Sequence, residues 1–232
     1  LTNKQVIYLI KTEGSWDYSF AYATQSLLDL DKFMMDIKSY NLIKNYEVSI
    51  VINSRIFKLE KFLLNKKANL LKFNKFSSED KTEKLDGRDN TILRIISQSA
   101  NMSVVELSKK SKLTLDIVKH RLRKLRKTVI SASRILLDVN RLGYFHYVLL
   151  VRTRRANVED ERKILMWSSL KKNVLYTTKR IGTYDFTINF LVKDIFELNS
   201  FLSEFKADFE PVIDEYQTLL NSEVLKLNYC PF

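Results

Sequence analysis

The chain is short of the residues that interrupt regular structure. Four glycines and two prolines in 232 residues argue against a loop-rich or disordered architecture and for long helices and strands. The one cysteine, Cys230, closes no internal disulfide, which predicts a reducing, cytoplasmic setting. The two histidines, His120 and His146, form no cluster with it at metal-ligand spacing. A phosphate-cradling glycine loop followed by Lys and Ser/Thr is missing too. Serines and aspartates stand in no order around a base, so no nucleophilic triad is supported. Apolar runs stop well short of the ~20 residues of a membrane span, and no signal peptide is visible. No catalytic residue, metal or cofactor is therefore expected, and no membrane partner.

What the chain does have is positive charge, and in one place. The formal net charge is +12. Residues 1–64 hold eight Lys/Arg and seven Asp/Glu, residues 65–143 hold nineteen and eight, and residues 144–232 hold twelve of each. A basic segment between two neutral ones points to a module that binds a polyanion.

The neutral flanks are related to each other. Shifted by 168 positions, KQVIYLIKTEGSWDYSFAYA from Lys4 lies over KNVLYTTKRIGTYDFTINFL from Lys172 without a gap, matching Lys4/Lys172, Val6/Val174, Tyr8/Tyr176, Gly14/Gly182 and Asp17/Asp185. Leu30/Leu198, Phe33/Phe201, Asn53/Asn221 and Ser54/Ser222 keep the register further on. Residues 1–64 and 169–232 read as two copies of one module.

In the second copy, residues 145–153 are a β-rich run and residues 158–170 carry Ile164, Leu165 and Trp167 at helical spacing. Strands follow over 174–181 and 184–192, around a turn at Gly182-Thr183. Asp194 can cap a helix with Leu198, Phe201, Leu202 and Phe205 on one side, and 212–227 is a last extended stretch. The order β-α-β-β-α-β is the ferredoxin-like arrangement. The first copy offers strands over 6–12, 16–23 and 48–57 and a helix over 27–37, but no first strand and no first helix. Unpaired inner edges are costly. The pattern is expected of a fragment of a longer tandem protein, or of a fold in which another segment or chain supplies the strand. Residues 65–84 lack periodicity and read as a linker.

Between the copies, Asp86 can cap a helix bearing Ile92, Leu93 and Ile96. Ser103 and Glu106 form a capping box for a short helix over about 104–110. Thr114 stands at an N-cap position before TLDIVKHRLRKLRK, where Val118, Leu122 and Leu125 share one face and cations crowd the others. Three helices, the second short and a tight turn before the third, are helix-turn-helix spacing. Residues 130–139 alternate in part and read as a strand or wing.

These residues resemble the helix-turn-helix of the Lrp/AsnC regulators. The family's pattern is met by Leu85, Asp86, Asp89, Ile92, Leu93, Glu106, Leu107, Leu113, Thr114, Val118, Arg121, Leu122 and Leu125, with Leu142-Gly143 as its junction. Gly182-Thr-Tyr-Asp185 and Gly14-Ser-Trp-Asp17 resemble the turn of its effector domain, the RAM domain. The resemblance implies an α+β chain: a partial RAM-like unit (1–64), a linker (65–84), a winged helix-turn-helix (85–141) and a ferredoxin-like RAM unit (142–232). It departs from the family pattern at Lys112 and Thr128, where glycine is usual.

The expected partner is double-stranded DNA. Thr114, Asp116, Ile117, Lys119 and His120 lie early enough in the helix to approach bases, and Arg121, Arg123, Lys124 and Lys127 suit phosphates. Arg121 also has a structural reading. The resemblance implies an amino-acid effector near Gly182, Tyr184, Asp185, Gly14, Trp16 and Asp17, residues that equally suit plain hairpin turns, and homo-oligomers assembled through RAM units. The alternative is a sensing or assembly protein with a vestigial helix-turn-helix. An enzyme of the sirohaem decarboxylase branch would call for paired histidines, to which a lone His146 is a poor match.

Overall fold

The computed structural model describes residues 3–57, 62, 74–77, 83–131, 133 and 137–230. Its elements are β1 (Val6–Glu13), β2 (Tyr18–Tyr22), α1 (Leu27–Ser39), β3 (Ile50–Ile56), β4 (Asn74–Ser77), α2 (Gly87–Gln98), α3 (Val104–Ser111), α4 (Leu115–Thr128), a 3-10 turn (Asn140–Leu142), β5 (Phe145–Thr153), α5 (Val158–Leu170), β6 (Val174–Ile181), β7 (Phe186–Val192), α6 (Ile195–Phe209) and β8 (Ile213–Leu227). Among the described residues no helix is long and apolar enough to cross a membrane.

The second copy folds as expected. Its antiparallel strands run β8-β5-β7-β6. Every residue of β7, FTINFLV, is buried, and β5 and β6 pair with it on either edge. An Asn157–Asp160 capping box starts α5, and Asp194 accepts from the amides of Phe196 and Glu197 to start α6. Both helices lie on one face of the sheet. Trp167 of α5 meets the rings of Phe201, Phe205 and Phe209 of α6, and its indole N–H donates to Asp208 at 2.7 Å.

The first copy does not close a sheet of its own. Among the described residues its hairpin and its last strand lie apart. The β1–β2 hairpin adds to the outer edge of β8, and β3 adds to the outer edge of β6. The result is one eight-stranded sheet, β2-β1-β8-β5-β7-β6-β3-β4. Each copy thus offers its second strand to the other copy's last strand. The linker expectation needs correction: residues 74–77 are β4, paired antiparallel with β3. Ser77 faces Asn53 as His146 faces the equivalent Asn221, so β4 takes the start of the place that β5 fills in the second copy. The rest of 65–84, apart from residues 83 and 84, lies outside the described residues.

The sheet face turned away from α5 and α6 is mixed, with Val148, Leu150, Leu191 and Leu219 set among polar residues. Residues paired across strands share a face, which groups His146, Asn189, Asn221, Thr178 and Thr187 there. The last four are buried. His146 Nε2 lies 3.1 Å from Asn189 Oδ1, and Asn221 Nδ2 lies 3.2 Å from His146 Nδ1. This pattern suits a neutral ring that donates through Nε2 and accepts through Nδ1. His146 is packed, as expected of a strand residue, and burial pushes its pKa down to about 4 despite the bond to Asn189.

The helical domain is built by its caps. Asp86 accepts from Arg88 and Asp89 to start α2. The Ser103–Glu106 capping box starts α3. Ile92, Leu93, Leu107, Val118, Leu122 and Leu125 form the core, together with Cys230 from the tail after β8. Thr114 is the N-cap of α4 by backbone conformation alone; its hydroxyl makes no capping bond, contrary to expectation. The wing is also not borne out by what is described: Ile130, Ser131, Ser133, Leu137, Asp138 and Val139 are in no strand, and residues 132 and 134–136 lie outside the described set. Lys112, where glycine was expected, holds the left-handed conformation at φ 56°, ψ 29°. The turn geometry is kept without the residue that adopts it freely.

Two outcomes follow from these conformations. Lys112→Gly should raise unfolding stability by about 1 kcal/mol, because a left-handed residue with a side chain costs roughly 1–2 kcal/mol and part of the relief is offset by glycine's freedom in the unfolded chain. Urea titration measures it. His146 has a folded pKa below its unfolded value of 6.5, so the unfolded chain takes up the proton first as pH falls. Its contribution is whole above pH 6.5 and is lost between pH 6.5 and about 4, by up to about 3 kcal/mol. Urea titrations at pH 7.5, 6 and 4.5 should show a steeper loss for the natural chain than for His146→Gln.

Candidate nucleic-acid interface

Helix α4 buries Val118, Leu122 and Leu125 at spacings of four and three, which fixes the stripe that faces out. Asp116, His120, Arg123 and Lys127 lie along that stripe, with Lys119 and Lys124 flanking it, and all six are exposed. Thr114 is exposed just before them and Ile117 is half-buried. Seven of the nine residues expected to meet DNA are therefore presented outward on or beside one surface. Missed in the recognition-helix reading were Lys109 and Lys110, exposed at the end of α3, and Lys112 in the turn. Their signal was the basic segment as a whole rather than the one helix.

Arg121 departs from its expected phosphate role. Its Nη1 lies 2.7 Å from Asp86 Oδ2 and 2.9 Å from Asp89 Oδ1. Asp89 is only 3 % exposed, and an unpaired buried carboxylate is costly. The guanidinium ties α4 to the start of α2, and both carboxylates push its pKa up. The backbone amide of Asp89, with Arg121 beside it, holds the Asp86 carboxyl below the usual carboxylate range. These ion pairs give Arg121 a structural role.

The second candidate site is brought together in part. Gly14 and Gly182 sit at φ +132° and +155°, each pressed against the other copy's last strand region. A Cβ on Gly14 would stand 2.9 Å from Thr218 O, and one on Gly182 would stand 2.8 Å from Ser49 Cβ. These glycines serve a close approach between modules as well as a turn. Trp16 packs on the buried cluster of Leu150, Tyr184 and Leu219, so the aromatic residue of one turn borders the cluster that holds the aromatic residue of the other. Both lie in the turns, ahead of β2 and β7, and not in the strands as read from the sequence. Asp185 is held within its own module: its Oδ2 accepts from the amide and the hydroxyl of Thr153, each at 2.7 Å. Asp17 is exposed. Burial, with Glu215 and Glu47 nearby, pushes the Tyr184 phenol up.

No family profile matches the chain. A helix-turn-helix-type transcriptional regulator of Pyrococcus furiosus, PF0054, is 33% identical over 128 residues, spanning 54% of this chain and 82% of the relative. The transcriptional regulator NMB0573 from Neisseria meningitidis, solved with L-Met, shares the fold with a TM-score of 0.56 at 17% identity, over 63% of this chain and 96% of its own. The sirohaem decarboxylase NirDL has a TM-score of 0.63 at 13% identity, over 99% of this chain and 66% of its own. These two likenesses show the fold alone, and the second extends it across both modules and the helical domain. Solved AsnC regulators share the fold as well. The helix-turn-helix, the ferredoxin-like sheet beside it and the identity to PF0054 agree: the chain belongs to the Lrp/AsnC family of helix-turn-helix transcriptional regulators.

Proposed function

We propose that this regulator binds double-stranded DNA through α4. Asp116, Ile117, Lys119 and His120, with Thr114, face base edges, and Arg123, Lys124 and Lys127 contact phosphates. The observation that carries this is the exposed cationic stripe of α4, set opposite its buried seam. Polyphosphate attracts such a surface by releasing its counterions. Lys112 supports an active motif over a vestigial one, since the turn before α4 keeps its geometry without glycine.

A small effector, an amino acid in the first instance, is proposed at the paired turns around Gly182, Tyr184 and Asp185 and around Gly14, Trp16 and Asp17. Support comes from the L-Met bound to NMB0573 and from the packing of Trp16 against the cluster that holds Tyr184. The proposal includes a cytoplasmic location and a homo-oligomer, with recognition helices about one turn of DNA apart. The outer edges of β6 and β8 are already covered by β3 and β1 of the same chain, so assembly uses other surfaces. No catalytic step is assigned. Its relative PF0054 is a regulator, and His146 is paired with two asparagines and not with an acid or a second histidine.

Titration of labelled promoter duplex at several salt concentrations tests the DNA reading. Affinity should fall linearly with salt on logarithmic axes, with a slope of about −0.9 per phosphate contact. Replacing Arg123 and Lys124 by Ala should weaken all sequences alike and flatten the slope by about two. Affinity that ignores salt, or no binding at low salt, rules the reading out. A thermal-shift panel of amino acids tests the effector site, with Tyr184→Ala abolishing any shift.

A further inference from the structure

The outward stripe of α4 contains one residue of the wrong sign for a phosphate surface. Asp116 is exposed in the first turn, in line with His120, Arg123 and Lys127. No salt bridge among the described residues involves it, although Lys119 and His120 stand one turn away. A carboxylate at this end complements the helix dipole. It also lowers affinity for any phosphate backbone. An acid on the leading end of a DNA-facing stripe therefore costs non-specific binding, and a specific contact would offset that cost.

We propose, on the reading that α4 enters the major groove, that Asp116 determines sequence preference by accepting a hydrogen bond from the N4 amino group of a cytosine. An ionised carboxylate only accepts. Guanine presents N7 and O6, both acceptors, and thymine presents O4 and a methyl group. Adenine has a donor at N6, but its own N7 and the O4 of its thymine stand on either side of it. Cytosine N4 is a donor with an acceptor, the O6 of its guanine, on one side only. Asp116 therefore favours cytosine over the other three bases. The same charge weakens non-specific binding, so specificity is raised from both directions.

The test uses the full chain and selection from randomised duplexes, followed by anisotropy titrations on the selected duplex and its single-base variants. The natural chain should select cytosine at one position, with about a tenfold preference over the other bases. Asp116→Asn, which both donates and accepts, should move that preference to adenine, because a carboxamide bonds N6 and N7 together. Asp116→Ala should leave the position flat and bind non-specific duplex more tightly. A dipole role alone would change thermal stability and leave base preference unmoved, and that result overturns the proposal. If the natural chain and both variants fail to bind any duplex at low salt while retaining helical circular dichroism, it is the DNA-binding reading that falls.

Discussion

Backbone pairing between the two copies holds the sheet together. The β1–β8 and β3–β6 ladders join residues more than a hundred positions apart, and each satisfies an edge that would otherwise stay open to water or to other strands. The first copy depends on them most. Its hairpin and its last strand pair with the second copy and not with each other, and a lone hairpin is marginal in water. Docked on the second copy, both become parts of one sheet. The two copies meet so closely that the turns ahead of β2 and β7 need glycine where they touch the opposite module.

That arrangement divides the sheet into unlike faces. One face is sealed by α5 and α6 with a continuous apolar cluster, from Leu149 and Phe190 to Phe205 and Phe209. The other carries threonines, asparagines and one histidine, several of them buried. Burying polar groups is tolerable only when they find partners, and His146 between Asn189 and Asn221 is the clearest case. A protonated ring would break the bond it accepts from Asn221, so this face favours the neutral imidazole. The first copy is less well covered. Phe33 stacks on Tyr22 with ring centres 4.2 Å apart, yet Tyr18 and Phe20 stay exposed where their counterparts Phe186 and Ile188 are fully buried.

Much of this was legible in the sequence, because local signals carry their own geometry. Asp86, Ser103 and Asp194 mark helix starts through side chains that bond nearby amides, and all three do so. The 168-residue repeat made the second copy a template for the first. What escaped were non-local relations. No pattern in FNKFSS marks residues 74–77 as a strand, since β4 exists by pairing with β3 and not by its own periodicity. Cys230 gave no sign that it joins the core of the helical domain, since only the path of the chain beyond β8 carries it there. Thr114 shows the reverse limit: the right residue type at a cap, with the backbone in place and the side chain unused. Arg121 sat in a basic run and was counted with it, but its partners lie 32 and 35 positions upstream, where sequence spacing is silent.

The helical domain is fastened to the sheet by the chain that leaves α4 and by the tail beyond β8. Behind α4, the chain passes through the 3-10 turn at Asn140–Leu142 into β5, the central partner of both β7 and β8. From the other end, β8 runs on past Leu227. The Asn228 amide donates to Ile7 of β1 at 2.6 Å, and the Asn228 side chain brackets Cys230, which lies in the core against α2, α3 and α4. The strand that receives the Gly14 turn is therefore the strand whose tail completes the core beneath α4.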